Sequence, residues 1–174
     1  MDAVTFEKLL LTFEKDLYSF CCYLAAGKAA DLYQDTVLAA FEMRAKIDIS
    51  QNPKSLFFSI AVGKWKNAWR KEVRRQAKVP ELPLAEYIAK EPECTKENDP
   101  ESQVLSTFAR EAIRDALADL DDKFRIPLIL HYFDDWPLGD IAQICNIPRG
   151  TVKSRLHKGR TLLKAALEKE GFHG

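Results

Sequence analysis

Between residues 149 and 164 the chain carries six lysine or arginine side chains and no acid. Two short hydroxyls, Thr151 and Ser154, and an imidazole, His157, are interleaved with Arg149, Lys153 and Lys158. Such groups on one helix face suit a polyanion. Short ones hold phosphate oxygens, and longer ones reach base edges in the major groove of a DNA duplex. Residues 64–78 form a second basic run, seven cations against the single acid Glu72, with Trp65 and Trp69 among them. Cations there can hold a phosphate backbone, and an indole can stack on an unpaired base. A third cluster has the opposite sign: Asp31, Gln34 and Asp35 stand at i, i+3 and i+4, on one helix face. That face can dock a protein partner, although acids also suit the first turn of a helix for purely local reasons.

The pattern that must position these groups is helical, with no sustained strand-like alternation. A first helix is expected over 4–26, with Phe6, Leu9, Leu10, Phe13, Leu17, Phe20, Cys21 and Leu24 on one stripe and Gly27 ending it. A second is expected over 29–47, with Val37, Leu38, Phe41 and Ala45 inward. Asn52-Pro53 marks a turn, because proline restricts both itself and the residue before it. A third helix then spans 54–77, with Phe57, Ile60, Ala61, Lys64, Trp65 and Ala68 at helical steps. Trp65 shares the apolar stripe and reads as core; Trp69 lies nearer its edge and is the better candidate to meet a base.

Residues 81–101 change character, with seven acids, two lysines and prolines at 83, 92 and 100. Such a stretch buries little and reads as a flexible acidic linker. Apolar periodicity resumes near Val104: Leu105, Phe108, Ile113 and Leu117 suggest one helix, and Phe124, Leu128, Ile129 and Tyr132 another. Residues 138–158 then read as a helix-turn-helix. Ile141, Ala142 and Cys145 give the first helix a packing face. Asn146 occupies the tight turn, where asparagine tolerates positive φ, and Ile147 plugs the gap. Pro148 suits a helix start, and Val152 and Leu156 face inward. The expected fold is therefore all-α: a domain over 1–78, a linker over 79–103 and a helix-turn-helix domain over 104–174.

Bulk properties narrow the class. With 174 residues, 47% of them hydrophobic, the chain can bury a core. Its 26 basic and 26 acidic residues cancel, which argues against a simple polyanion-coating protein but leaves segregated charge free to act locally. No secretory signal is expected from Met1-Asp2-Ala3-Val4, and no apolar run approaches a bilayer span. The four cysteines, Cys21, Cys22, Cys94 and Cys145, lack zinc-ligand spacing and read as small thiols in a reducing cytosol. No metal or cofactor is expected. His131, His157 and His173 have no partner at helical spacing, and Asp121, Asp122, Asp134 and Asp135 suit caps and turns, so an enzyme is not expected.

Three stretches in order resemble the extracytoplasmic-function group of bacterial RNA polymerase sigma factors. Residues 31–41 (Asp-Leu-Tyr-Gln-Asp-Thr-Val-Leu-Ala-Ala-Phe) resemble its core-polymerase-binding helix. Residues 52–61, with the basic helix after them, resemble its promoter-melting segment, and residues 150–155 (Gly-Thr-Val-Lys-Ser-Arg) its helix-turn-helix signature. The resemblance implies a region 2-like bundle of three or four helices, followed by a region 4-like domain. It implies docking of Asp31, Gln34 and Asp35 on the β′ clamp coiled coil, with the β flap as a second polymerase contact. It implies capture of a flipped −10 base by the turn around residues 49–54 and the helix through Asn67, with Trp69, Arg70, Lys71, Arg74 and Arg75 on the adjacent DNA. It further implies −35 contacts by Lys153, Ser154, His157 and Lys158, phosphate contacts by Arg149 and Thr151, and an anti-sigma partner; the chain itself is expected in the cytoplasm. The chain departs from the family at Gly63, where many relatives carry an asparagine, in the loop 49–52, and at Asn146, where glycine is common. The competing reading is an autonomous helix-turn-helix regulator that dimerises on a palindrome without polymerase.

Overall fold

The computed structural model describes residues 1–25, 27–76, 100–169 and 171; at 69, 72–76 and 100–108 it describes the backbone only. The described residues form eight α-helices and one short 3-10 turn, with no strand among them. The chain divides into two compact units, Met1–Glu91 and Pro92–Gly174. Residues 79–99 of the expected acidic linker lie outside the described residues. Its last four, 100–103, belong to a helix instead. Pro100 opens that helix, where a missing N–H costs nothing.

The first unit begins with two helices where one was expected, α1 (Ala3–Leu11) and α2 (Glu14–Leu24). The chain bends at Thr12–Phe13. Phe13 keeps a backbone bond to Leu10 O at 3.1 Å, and Thr12 Oγ1 donates to Leu9 O at 2.6 Å. The bend forgoes one or two helical bonds, worth about 1 kcal/mol each. It brings Phe13 edge-on to Phe57 at 4.9 Å, a burial worth about 2 kcal/mol. A straight helix would carry a hydrophobic stripe past the core instead of around it. Gly27, at φ +75°, makes the turn into the next helix.

The helix α3 (Ala29–Glu42) ends five residues before the expected boundary, and a 3-10 turn, Arg44–Lys46, follows. Arg44 Nη1 donates to Phe41 O at 2.9 Å and its guanidinium lies 4.0 Å over the Phe41 ring, so a side chain satisfies a terminal carbonyl. The buried face of α3 is Ala29, Leu32, Thr36 and Ala40, not the expected Val37, Leu38, Phe41 and Ala45. Val37 and Phe41 are half-buried, Ala45 is exposed and Leu38 is 57% exposed.

The helix α4 (Pro53–Gln76) has a strong start: Pro53 is its first residue, and Asn52 Oδ1 accepts the Ser55 N–H at 3.2 Å. Phe57, Phe58, Ala61 and Val62 are buried against α2 and α3. Phe6, Phe13 and Phe57 form one aromatic cluster, Phe20 meets Phe58 at 5.0 Å, and Lys54 Nζ bonds Asp16 on α2 at 2.7 Å. Beyond Val62 none of the described side chains of α4 is buried, so the helix continues past the core that anchors it.

In the second unit α5 (Pro100–Ala118), α6 (Asp122–Tyr132) and α7 (Leu138–Cys145) all pack on α8 (Arg149–Lys169). The core is Ala116, Leu117, Ile126, Leu128, Ile129, Leu130, Ile141, Ile144, Val152 and Leu156. Tyr132 is not part of it: it is 49% exposed at the end of α6. Asp121 caps α6, accepting the Lys123 N–H at 3.3 Å. The buried Arg125 ties the α5–α6 corner, donating to Ala118 O at 3.5 Å and pairing with the Asp122 carboxylate. Asp135, at φ +52°, turns the chain between α6 and α7 and delivers Trp136 to the interior.

Candidate nucleic-acid and partner-binding surfaces

The turn between α7 and α8 is where the local chemistry of the sequence is clearest. Asn146 adopts φ +54°, ψ +53°, the left-handed conformation that ends helices. Its N–H donates to Gln143 O at 3.1 Å, and the Ile147 N–H donates to Ala142 O at 3.0 Å. This pair of bonds is a Schellman closure, with Ile147 as its apolar partner. Pro148 then supplies the carbonyl that accepts the Val152 N–H at 3.1 Å, so only three residues separate the end of α7 from the start of α8. A glycine is not needed there, because asparagine reaches αL at modest cost.

Val152 at 0% exposure and Leu156 fix which side of α8 faces the core. The opposite side therefore carries Arg149, Lys153, Ser154, His157 and Lys158, all exposed, with Thr151 half-buried at its margin. Ser154 Oγ donates to Thr151 O at 3.0 Å. Arg160, Thr161 and Lys164 continue the exposed surface. Arg155, one of the six cations between residues 149 and 164, is half-buried. Its charge reaches Asp121, whose carboxyl is held below the ordinary carboxylate range by its bonds with Lys123 and then by the Lys123 and Arg155 charges. Arg155 thus belongs to the packing of α8 rather than to its free face.

In the first unit Asp31, Gln34 and Asp35 are all exposed on α3. They point out because their neighbours point in: Leu32 and Thr36 are buried, and Tyr33 turns to α2, its hydroxyl 3.4 Å from Glu14 Oε1 and its ring edge-on to Tyr18 at 5.6 Å. Burial, with Glu14 adding to it, pushes the Tyr33 hydroxyl up to about 12. Leu38 extends the same face, seven residues beyond Asp31 and three beyond Asp35. Reading Leu38 as core hid this. The signal was the period of Leu32, Thr36 and Ala40, obscured because a threonine sits in the buried row.

On α4, Asn67, Arg70 and Lys71 are exposed and Trp65 is half-buried. The side chains of Trp69, Arg74 and Arg75 lie outside the described ones. A Cβ at Gly63 would meet nothing within 4 Å, so packing does not require glycine there. Ahead of α4, residues 48–52 form an exposed turn. Asp48 Oδ1 accepts from Ser50 N–H at 2.9 Å and from Ser50 Oγ–H at 2.7 Å, and its Oδ2 accepts from Gln51 Nε2 at 3.1 Å. No group of three or more His, Cys, Asp or Glu that could hold a metal ion occurs among the described residues.

The description "Sigma-70 region 2" matches residues 9–75, and "Sigma-70, region 4" matches residues 110–163. Together these spans account for well over half of the chain. The chain belongs to the extracytoplasmic-function group of RNA polymerase sigma factors. It is 27% identical over 175 residues to the ECF RNA polymerase sigma factor SigW of Bacillus subtilis, covering 95% of this chain and 90% of that relative. Over 150 residues it is 28% identical to the ECF sigma factor SigL of Mycobacterium tuberculosis, covering 84% and 78%. Among solved structures it resembles the sigma factor RpoE from Bartonella quintana, solved with the anti-sigma factor NepR, at TM-score 0.71 and 26% identity over 94% of this chain and 97% of that one. The fold also matches CnrH, solved with the cytosolic domain of CnrY, at TM-score 0.67 and 16% identity over 97% and 90%.

As a sigma factor, the protein binds core RNA polymerase and promoter DNA and acts in transcription initiation. The α3 face, the loop 48–52 and the basic part of α4 fall within its region 2 span, and the helix-turn-helix within its region 4 span. No helix among the described residues of this sigma factor is long and apolar enough to cross a membrane.

Proposed function

We propose that this chain is a non-catalytic cytoplasmic initiation factor whose surfaces divide the work of promoter recognition as follows. Asp31, Gln34 and Asp35 on α3 dock on the β′ clamp coiled coil of core polymerase, with the β flap as a second polymerase contact. Asn67, Trp69, Arg70, Lys71, Arg74 and Arg75 take the melted −10 element. Lys153, Ser154, His157 and Lys158 face −35 base edges, while Arg149 and Thr151 hold phosphates. We assign these roles to a domain over 1–78 and a domain over 104–174, joined by the segment 79–103. An anti-sigma protein is a further expected partner, since RpoE and CnrH were each solved with a second protein bound.

The observation that carries this reading is the exposed basic face of α8 behind a Schellman turn, on a chain whose other unit matches sigma-70 region 2. An autonomous regulator needs the first feature but not the second. Opening base pairs without ATP requires binding energy that favours separated strands, and an unstacked base costs a few kcal/mol unless a pocket receives it. Two units, each gripping DNA weakly, gain selectivity when polymerase makes the second contact effectively intramolecular. Run-off transcription with core polymerase tests the proposal: promoter-specific transcripts are expected only when the protein is added. Sequence-specific footprints without polymerase, and no transcripts with it, would favour the autonomous regulator.

A further inference from the structure

Val152, Leu156 and Gly159 seat α8 on the core, and His157 stands exposed on the other side, between Lys153 one turn before it and Arg160 one turn after. Lys158 is its neighbour in the chain. Thr161 Oγ1 donates to the His157 carbonyl at 3.2 Å, and no described side chain bonds or pairs with the ring itself. The acid of α8 is Glu168, far along the helix and paired with Lys164 at 3.7 Å. The helices packed on α8 bring the ring no counter-charge either. α7 carries Asp140, half-buried in its own first turn. On α6, Asp122 is tied to Arg125 and Lys123 to the capping Asp121, while His131 is half-buried, its ring 4.9 Å from that of Tyr132. α5 carries Arg110, Glu111, Arg114 and Asp115. None of these groups bonds or pairs with the His157 ring among the described residues.

An imidazole differs from the cations around it in one respect: it changes charge between about pH 5 and 8, whereas lysine and arginine keep theirs. On the free face an imidazolium has only like charges for neighbours, and a DNA duplex is the first anion offered to it. Resting on the −35 reading above, we infer that His157 takes up a proton when the recognition face closes on the −35 duplex, which makes the strength of that contact depend on pH. The direction follows from the fields. A proton is held more tightly where it gains phosphates than where its neighbours are lysines and an arginine. The contact is therefore strongest at the acid end of the range. It weakens as the pH rises until the bound ring, too, has lost its proton.

The test uses holoenzyme assembled from the full chain and core polymerase. The probe is the promoter duplex that this holoenzyme selects from a pool randomised across the −35 segment. Affinity is measured from about pH 6 to about pH 8.5 at constant ionic strength, and proton uptake is counted by calorimetry in buffers of different ionisation heat. Near neutrality wild type is expected to take up about half a proton more than His157→Gln, and to lose about tenfold more affinity across the range. His157→Lys keeps its charge, so it should lose no more affinity with pH than His157→Gln does. All three proteins share the same polymerase, so titrations elsewhere cancel in the comparison. Affinity lowered evenly in His157→Gln, with a pH profile parallel to wild type, would overturn the proton uptake and leave the −35 reading intact. A selected pool with no −35 preference would remove the −35 reading, and the proton uptake with it.

Discussion

Gly159 of α8 lies so close to Leu128 of α6 that a Cβ built on it would stand 2.9 Å from Leu128 Cδ1 and 3.1 Å from Cγ. The helix that presents Arg149, Lys153 and His157 is therefore seated on α6 at a point with no room for a side chain. That contact sets how deeply the recognition helix sits in its own domain, and it is invisible in a charge pattern.

Substitution at Gly159 separates two opposed effects. Alanine gains about 0.5–1 kcal/mol of helix propensity, but its Cβ presses on Leu128, which is itself buried, and meets Phe124 Cβ at 3.4 Å, so the two effects oppose each other in Gly159→Ala. Valine cannot be accommodated by one rotation, and overpacking of this kind costs about 1–3 kcal/mol. Urea denaturation should show Gly159→Val clearly less stable than Gly159→Ala. Equal stability would mean that α6 and α8 separate freely.

The docking face proposed for α3 should respond to charge and to the large apolar side chain of Leu38 independently of folding. Asp35→Lys reverses a charge on an exposed position, so stability should shift by no more than about 0.5 kcal/mol; Asp31→Lys, in the first turn of α3, should lose about 1 kcal/mol because a cation there opposes the helix dipole. Affinity for core polymerase should fall by about tenfold or more, as for a contact at the centre of an interface. Leu38→Ser should weaken core binding with a stability loss of no more than about 1 kcal/mol, because Leu38 is 57% exposed. A large drop in melting temperature for Leu38→Ser would return that residue to the core.

On α8, the proposed base and phosphate contacts are separable by their dependence on sequence and salt. Lys153→Ala should cost about 1–3 kcal/mol on the preferred −35 sequence and much less on others, as a lost base-edge contact does. Arg149→Ala should weaken binding evenly across sequences and reduce the salt slope by about one. Titrations of holoenzyme at several salt concentrations distinguish the two; an even loss for Lys153→Ala would make it a phosphate contact.

Tyr33 makes a prediction in alkali. Its hydroxyl titrates near 12 in the folded chain, chiefly because of burial and then because of Glu14, against about 10 when unfolded. The unfolded state therefore loses its proton first. Stability from this group is complete below pH 10 and declines as the pH rises toward 12. Denaturant midpoints measured from pH 9 to 11 should fall less steeply in Tyr33→Phe than in wild type. Parallel curves would show that Tyr33 is not desolvated.

What was legible beforehand was whatever depends on neighbours in the chain. Asn146 before Ile147-Pro148 is a helix stop followed by a helix start, and the turn forms with the backbone bonds that those residue types favour. Val152 and Leu156 share a face by periodicity alone, so the exposure of Lys153 and His157 follows from the code of one helix. Asp31, Gln34 and Asp35 were likewise legible, as polar groups at helical spacing. The tertiary structure decided what depends on partners distant in the chain. Phe13 breaks the first helix because Phe57, forty-four residues later, offers a ring to pack on. Thr36 is buried and Leu38 exposed because α2 and α4 meet α3 along the Ala29–Leu32–Thr36–Ala40 row, and Thr36 satisfies its hydroxyl on Leu32 O at 2.7 Å. Arg155 leaves the basic face for Asp121 on another helix. Hydrophobicity and spacing fix a helix and its candidate faces; which face is covered depends on the shape of what packs against it, and that shape is assembled only when the whole unit folds.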